Sequence, residues 1–149
     1  MDIHAMVVDD SKIMRKMVMR SLQDADLATF TFCEAEDGAD ALKQFEVNEA
    51  QIQMMFVDWN MPNMNGIDFI REVRARQKKH IPVVMITTES SIGKMDEAMN
   101  GVKVDKYIAK PFTVEGLQKR LAPLFNEIAE SQKKASKGGF FSKLASKVS

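Results

Sequence analysis

The sequence predicts an α/β fold in which a five-stranded parallel sheet is covered by helices on both faces. Short apolar runs alternate five times with segments of helical periodicity, which is the pattern of repeated β–α units. The runs are mostly apolar and most of them alternate poorly with polar residues, as expected of strands buried on both faces. Right-handed crossovers between such strands make them parallel.

Each element follows from a local pattern. Strands are predicted where β-branched, aromatic and other apolar residues cluster, at residues 3–8, 29–35, 54–57, 82–87 and 106–109. Helices are predicted where apolar residues recur every three or four positions, in segments that begin near Ser11, Ala39, Ile67, Ile92 and Val114.

Two of the helices carry more specific expectations. The fourth is predicted from an apolar face made of Ile92, Met95, Met99 and Val102. In the fifth, Pro123 lacks the N–H that a helix interior needs, and its ring clashes with the preceding turn. We therefore expect the fifth helix to kink or restart near residues 122–123.

Composition narrows the class of protein. The 149 residues suit one domain, and 45 % apolar residues suffice for a sizeable core. The single cysteine, Cys33, excludes a disulfide framework and a Cys-rich zinc site. No signal peptide is visible, and no apolar run approaches the length of a membrane span. We expect a soluble, cytoplasmic monomer.

The charge is zero in total but unevenly placed. Residues 1–130 carry 16 basic and 21 acidic groups, whereas residues 131–149 carry 5 lysines and no acidic residue. The neutral sum argues against a generic nucleic-acid coat, which would be strongly basic. An acidic body with a basic tail is the better description.

Acidic residues follow two of the predicted strands. Asp9 and Asp10 follow the first strand and Asp58 follows the third. Ligands of parallel sheets bind at the carboxyl ends of the strands, so these carboxylates become candidates for a site if the two strands are neighbours. Clustered carboxylates repel one another unless a hard cation such as Mg²⁺ is bound. Thr87 lies at the end of the fourth strand and Lys110 follows the fifth, so a hydroxyl and an ammonium join the same edge and favour a phosphoryl group.

Four ordered motifs carry a resemblance to a known family. They are Val-Val-Asp-Asp-Ser at residues 7–11, Val-Asp-Trp-Asn-Met-Pro-Asn-Met-Asn-Gly at 57–66, Ile-Thr-Thr-Glu at 86–89 and Tyr-Ile-Ala-Lys-Pro-Phe at 107–112. Over about residues 3–122 the chain resembles the receiver domain of two-component response regulators, and its chemotaxis members most of all. The resemblance implies a flavodoxin-like sheet of order 2-1-3-4-5, with residues 1–130 as the receiver domain.

The resemblance also implies a role for each motif residue. Asp58 would accept a phosphoryl group from a histidine kinase, and Lys110 would pair with the phosphate. Asp10 would bind Mg²⁺ directly, with Asp9 acting largely through water and the main-chain carbonyl of Asn60 as a further ligand. The bond between Lys110 and Pro111 would be cis.

The switch and the timing of the signal are implied in the same way. Thr87 would bond the phosphoryl group and move toward it, after which Tyr107 would turn inward. Asn60 and Glu89 would tune self-hydrolysis, and their pairing suggests a short-lived phosphoryl state. Thr88, where the chemotaxis members commonly have alanine, adds bulk beside the site.

These roles predict a signalling protein, not a turnover enzyme. Its partners would be a histidine kinase, an output protein such as a flagellar switch component, and as a further candidate a phosphatase, with no DNA contact. A phosphorelay intermediate or a phosphate sink is the alternative. A haloacid-dehalogenase-type phosphatase is remote, because that family needs an aspartate two residues after the nucleophile, where this chain has Asn60.

The tail, residues 131–149, lies outside the family motifs. Gly138 and Gly139 suggest a hinge, and a following helix would gather four large apolar side chains on one face with lysines elsewhere: Phe140, Phe141, Leu144 and Val148. Such a basic amphipathic stretch docks in a partner's groove, folds onto its own acidic body or lies on an anionic membrane. A disordered tail is the remaining reading, and the sequence leaves all of these open.

Overall fold

The computed structural model describes residues 1–148, and the side chains of residues 1–135. Five strands form one parallel sheet: β1 (Asp2–Val8), β2 (Thr29–Ala35), β3 (Met54–Val57), β4 (Val83–Thr87) and β5 (Lys106–Ala109). Their spatial order is β2-β1-β3-β4-β5, as the resemblance implied. The fold class predicted from the sequence is confirmed.

Five helices connect the strands and flank them: α1 (Lys12–Asp24), α2 (Gly38–Asn48), α3 (Gly66–Arg76), α4 (Ile92–Asp96) and α5 (Val114–Val148). The first four begin at a side chain that accepts a hydrogen bond from a main-chain N–H of the first turn, the preferred chemistry for a helix start. These capping residues are Ser11, Asp37, Asn65 and Ser91. The chain folds as the periodicity predicts because each helix has a local signal for where it begins.

The core consists of two apolar layers, one on each face of the sheet. Successive residues of β3 point to opposite faces, so that Met55 and Val57 join one layer while Met54 and Phe56 join the other. The first layer includes Phe45 and Ile70 from α2 and α3. The second is closed by side chains of α1 and α5, among them Leu22, Leu117 and Leu121.

The fourth helix differs from its prediction. After Asp96 the backbone widens into a π-helical turn over Glu97–Gly101, and Ala98 is the residue of that turn that is fully buried. Ile92, Met95 and Met99 are 87, 38 and 39 % exposed, and of the four residues from which the helix was predicted only Val102 is buried. The apolar periodicity therefore identified a helix face that is mostly exposed to solvent. The small side chain of Ala98 faces the core where the larger apolar side chains do not.

The restart predicted at Pro123 is wrong, whereas the alternative of a kink there stays a prediction. Helix α5 continues through Pro123 without a restart, and the side chain of Pro123 is exposed. The carbonyl that the proline ring leaves without its helical partner belongs to Lys119, which is also exposed, so water can bond to it. The proline is tolerated because it lies on the solvent side of the helix.

The same helix runs past the expected hinge at Gly138 and Gly139, which is therefore not a break in the backbone. The predicted apolar face of the tail, at Phe140, Phe141, Leu144 and Val148, lies outside the residues whose side chains are described, so its docking role stays a prediction. Within the part of the chain that is described, no helix combines the length and apolarity needed to cross a membrane.

Candidate functional site

Three aspartates meet at the carboxyl ends of the two central strands. Val8 is paired with Val57 across β1 and β3, so the residues that follow them are neighbours. Asp9, Asp10 and Asp58 each offer a carboxylate oxygen, and these oxygens lie within 4.8 Å of one another. The structure thus brings together the three acids that the sequence predicted, in a cluster with the donor chemistry of a Mg²⁺ site.

The three carboxylates differ in what they already bind. Asp9 is buried, and its two oxygens accept hydrogen bonds from the main-chain N–H of Ser11 (2.9 Å) and from Nζ of Lys110 (2.9 Å). Asp10 is exposed, and among the described residues no hydrogen bond to its carboxylate is formed. Asp10 is therefore the carboxylate most available to a cation, whereas Asp9 is held in place by its protein partners.

Lys110 joins two of the acids from the end of β5. Its Nζ lies 2.9 Å from Asp9 Oδ2 and 3.3 Å from Asp58 Oδ2, and its side chain is 10 % exposed. Burial alone would lower the pKa of Lys110, but the two carboxylates outweigh it and raise the pKa above its ordinary value. The ammonium is thus a permanent positive charge beside Asp58. The Lys110–Pro111 peptide bond is cis, as predicted.

Asp58 is partly buried and is held from two sides. Burial raises the pKa of its carboxyl group, and the positive charge of Lys110 opposes that rise. Its Oδ1 accepts a hydrogen bond of 2.7 Å from the main-chain N–H of Trp59, and its Oδ2 faces Lys110. The carboxylate is thus held from two sides and partly kept from water. Such a carboxylate is suited to act as a nucleophile toward an anionic electrophile such as a phosphoryl group.

A second group of residues surrounds Asp58 from β4 and β5. Thr87 is fully buried, and its hydroxyl accepts a hydrogen bond of 3.3 Å from the N–H of Glu89. The Asn60 side-chain amide donates to the Glu89 carboxylate at 2.7 Å. This bond joins the two positions that the resemblance assigned to self-hydrolysis.

Tyr107 lies with its ring inward. Its side chain is 4 % exposed, and its hydroxyl donates to the main-chain carbonyl of Glu89. Burial, together with the charges of Glu89 and Asp58, raises the pKa of this phenol. The Tyr107 carbonyl accepts a 2.8 Å bond from the guanidinium of Arg120 on α5. Tyr107 thus connects the loop after β4 with α5.

Sequence reasoning missed several residues that hold this site. Lys94 of α4 places its ammonium 4.7 Å from the centre of the Trp59 ring, a cation–π contact. Arg15 of α1 donates to the carbonyl of Asp9, and Asp37 accepts from the side chain of Asn63. Asp37 could have been found from the sequence, because an aspartate just before a helix commonly caps the first turn. Arg15 and Lys94 have no such signal, because their contacts depend on side-chain conformation across elements.

Comparison with known proteins decides the family. The family model described as response regulator receiver domain matches residues 5–122. The chain belongs to the response regulator receiver family. Members of this family are signalling domains, and the acidic pocket that receivers use for Mg²⁺ corresponds here to the three aspartates.

Similar receivers are chemotaxis proteins. The chain is 39 % identical over 117 residues to chemotaxis protein CheY1 of Helicobacter pylori, covering 78 % of this chain and 91 % of the relative. It is 36 % identical over 124 residues to chemotaxis protein CheY of Pseudomonas aeruginosa, covering 83 and 96 %. The solved structure of Vibrio cholerae CheY4 matches with a TM-score of 0.69 at 36 % identity, covering 81 % of this chain and 97 % of that one. This receiver is CheY-like, consistent with chemotaxis signalling.

Proposed function

We propose that this receiver carries a phosphoryl signal on Asp58, taken from a phosphohistidine of a CheA-like histidine kinase in the presence of Mg²⁺. One observation carries the proposal: the carboxylate of Asp58 is held between the ammonium of Lys110 and two further aspartates at the end of the sheet. Acids for a cation, a fixed positive charge and an accessible nucleophile are what phosphoryl transfer requires of a protein.

The residues divide the chemistry among them. An oxygen of Asp58 forms a bond to phosphorus while the P–N bond of the phosphohistidine breaks, and its electron pair leaves with the imidazole, which takes up a proton. Lys110 offsets negative charge on the transferred group. Asp10 and Asp58, with the main-chain carbonyl of Asn60, would hold Mg²⁺ directly, and Asp9 would hold it through water. The cation would neutralise phosphoryl oxygens when bound.

Output follows from the added charge. A phosphoryl group brings about −1.5 to −2 charge to a site whose hydroxyl, Thr87, is buried beside it. We propose that Thr87 bonds that group and that the inward position of Tyr107 belongs to the signalling state. The surface formed by α4, β5 and α5 would then dock an output protein such as a flagellar switch component.

The test of phosphorylation uses a small P–N donor, phosphoramidate, with Mg²⁺ and intact-mass spectrometry. The wild-type chain should gain the mass of one phosphoryl group, and Asp58→Asn should gain none. Asp2→Asn, which changes an exposed aspartate at the far end of β1, is the matched control and should behave as wild type. Labelling of Asp58→Asn to the wild-type level would contradict the proposal.

The output is tested with beryllofluoride and Mg²⁺, a stable mimic of the phosphoryl state. Capture of a purified flagellar switch component only in the presence of the mimic, and not by Asp58→Asn, would establish the chemotaxis role. Capture of a histidine phosphotransfer protein instead would favour a phosphorelay.

The contact between Asn60 and Glu89 bears on the lifetime of the signal. Both side chains lie at the mouth of the site, where they can orient water toward phosphorus. We therefore propose a short-lived phosphoryl state. An Asp58 phosphate that persists for hours at neutral pH with Mg²⁺ would contradict this part of the proposal.

A further inference from the structure

We propose that Arg15 and Asp37 are positioning residues that hold the two metal-binding loops at the separation Mg²⁺ requires. The inference rests on the proposed Mg²⁺ site. It concerns residues outside the four family motifs, at the edge of the sheet where β2 ends and α2 begins. A chain of hydrogen bonds there, which we name the collar, joins the loop after β1 to the loop after β3. Its members are Arg15, Glu34, Gln44, Asp40, Asp37 and Asn63.

Arg15 forms the first end of the collar. Its guanidinium donates to the main-chain carbonyl of Asp9 at 2.7 Å and pairs with the carboxylate of Glu34 at 2.9 Å. The side chain of Arg15 is 13 % exposed and that of Glu34 is 42 % exposed, so the contact with the Asp9 carbonyl is the better shielded from water. Because Arg15 bonds to the backbone of Asp9, it restrains the path of the chain that carries Asp9 and Asp10.

The middle of the collar passes through α2. The Gln44 amide donates to the carbonyl of Glu34 at 2.7 Å and to the Asp40 carboxylate at 3.3 Å. The main-chain N–H of Asp40 in turn donates to Oδ1 of Asp37 at 2.7 Å. Successive links share a residue, not a single group: Arg15 pairs with the carboxylate of Glu34, whereas Gln44 bonds to the main-chain carbonyl of Glu34.

Asp37 forms the second end. Its Oδ2 accepts a bond of 2.7 Å from the Asn63 amide, and its side chain is buried. Beside it, the N–H of Gly38 donates to the carbonyl of Met64 at 2.9 Å. A Cβ at position 38 would lie 2.5 Å from that carbonyl oxygen, so the start of α2 and the loop after β3 are in direct backbone contact. The loop so held begins at Asp58 and contains Asn60.

The two loops contribute from opposite sides to one cation site, so the collar determines how closely their ligands approach. Mg²⁺ demands near-ideal octahedral geometry at about 2.0–2.1 Å, whereas Ca²⁺ accepts about 2.3–2.6 Å in flexible arrangements. Loosening the collar should therefore weaken Mg²⁺ binding more than Ca²⁺ binding. A change in charge alone would weaken both ions together.

The experiment measures the affinities of the protein for Mg²⁺ and Ca²⁺ by the fluorescence of Trp59, the one tryptophan of the chain. The main-chain N–H of Trp59 donates to the carboxylate of Asp58, so the tryptophan lies beside the cation site. Isothermal titration calorimetry provides a second readout. The variants are Arg15→Lys, which keeps the charge but removes the fork that reaches both partners, and Asp37→Asn. We expect Mg²⁺ affinity to fall about tenfold, within the usual cost of losing a group that orients metal ligands, and Ca²⁺ affinity to fall less than about threefold.

Arg76→Lys is the matched control, because Arg76 pairs with Glu46 at the carboxyl end of α3, remote from the cation site. It should leave both affinities unchanged, and circular dichroism verifies that each variant is folded. If one collar variant fails to fold, the other and Arg15→Gln carry the test. Equal losses for the two ions, or no loss, would overturn the inference. A wild-type chain that binds no Mg²⁺ would instead overturn the proposed Mg²⁺ site itself.

Discussion

Gly66 is the residue whose identity is most tightly set by its surroundings. A Cβ at this position would lie 2.0 Å from the carbonyl oxygen of Asp58 and 3.1 Å from a side-chain atom of Val57. The glycine is needed for this close approach, since its N–H also donates to the Trp59 carbonyl and so closes the loop that carries Asp58.

Gly66→Ala should therefore destabilise the protein by about 1–3 kcal/mol or more, because the backbone after β3 must shift to relieve the overlap. Gly93→Ala is the matched control. Nothing lies within 4 Å of a Cβ at position 93, so alanine there should stabilise α4 by roughly 0.5–1 kcal/mol. Urea denaturation compares the two, and equal effects would contradict the explanation.

Asp58 lowers the stability of the fold that it serves. Because burial raises its pKa, the ionised form that predominates at neutral pH is less stable in the folded state than in the unfolded chain. Asp58→Asn retains an oxygen that can accept the N–H of Trp59 and removes one of three neighbouring negative charges.

In buffer with EDTA, we expect Asp58→Asn to raise the free energy of unfolding by roughly 1 kcal/mol. This corresponds to a rise in Tm of about 2–4 °C. The gain should shrink with added Mg²⁺, because an ion that binds the folded wild type stabilises it. Asp2→Asn should change Tm little. A lower Tm for Asp58→Asn than for wild type would show that its pairing with Lys110 outweighs burial.

The site residues were predictable to the extent that the sheet itself brings them together. Asp9, Asp10, Asp58, Thr87 and Lys110 all follow strand ends, and a parallel sheet places strand ends at one edge. Arg15 and Lys94 were not predictable, since an arginine or lysine on a helix is usually solvated. Their contacts with Asp9 and Trp59 depend on side-chain conformation, which no periodicity encodes.

Among the elements, α4 shows how a correct pattern can be given the wrong meaning. Apolar residues at helical spacing predicted a helix, and a helix is present, but three of them are exposed. Periodicity records that a helix has an apolar face and is silent about whether the sheet or a partner covers it. The π-helical turn after Asp96 could not be anticipated either, because it depends on hydrogen bonds one residue longer than the helical repeat.

Helix α5 offers a direct test at the scale of the element. Pro123 is exposed in a continuous helix and removes one main-chain hydrogen bond. Pro123→Ala should therefore raise the free energy of unfolding by about 1–3 kcal/mol. The upper value is the difference in helix propensity between proline and alanine. Asn126→Ala, also at an exposed position of the helix, should gain only about 0.5 kcal/mol. A loss of stability in Pro123→Ala would mean that packing around α5 requires a bend at the proline.

The proposed phosphorylation site and the basic tail lie at different ends of the molecule. The aspartates of the proposed site lie at the carboxyl ends of the strands. At the opposite end α5 extends beyond the sheet, where Ile128, Ser131 and Ala135 border a cavity of about 500 Å³ with Ile3 and Ile81. The basic tail therefore leaves the body far from Asp58.

Deleting residues 138–149 should leave phosphorylation of Asp58 and Mg²⁺ affinity unchanged, because the deletion spares both the site and the residues that border the cavity. Mass spectrometry and Trp59 fluorescence measure these. Sedimentation with vesicles of anionic and of neutral lipid tests the tail itself. Binding only to anionic vesicles, lost on deletion, would support the membrane reading, and no loss would remove it. A change in phosphorylation would contradict the separation of the two ends.

At this largest scale the sequence was most informative. Alternating apolar runs and helical segments determine a layered α/β arrangement almost by themselves, because each strand must be covered on both faces. The strand order came from the resemblance, since nothing in the runs states which strands are neighbours. The restart at Pro123 was predicted wrongly because the sequence does not reveal on which side of α5 the proline lies.

Glu89 contacts two neighbouring residues through different parts of its structure. Its side chain accepts from Asn60, whereas its main-chain carbonyl accepts from Tyr107. Every residue type has that carbonyl, so a substitution at position 89 removes the contact with Asn60 and keeps the partner of Tyr107. Under the roles that we propose, such a substitution would change the lifetime of the phosphoryl state and leave the tyrosine switch in place.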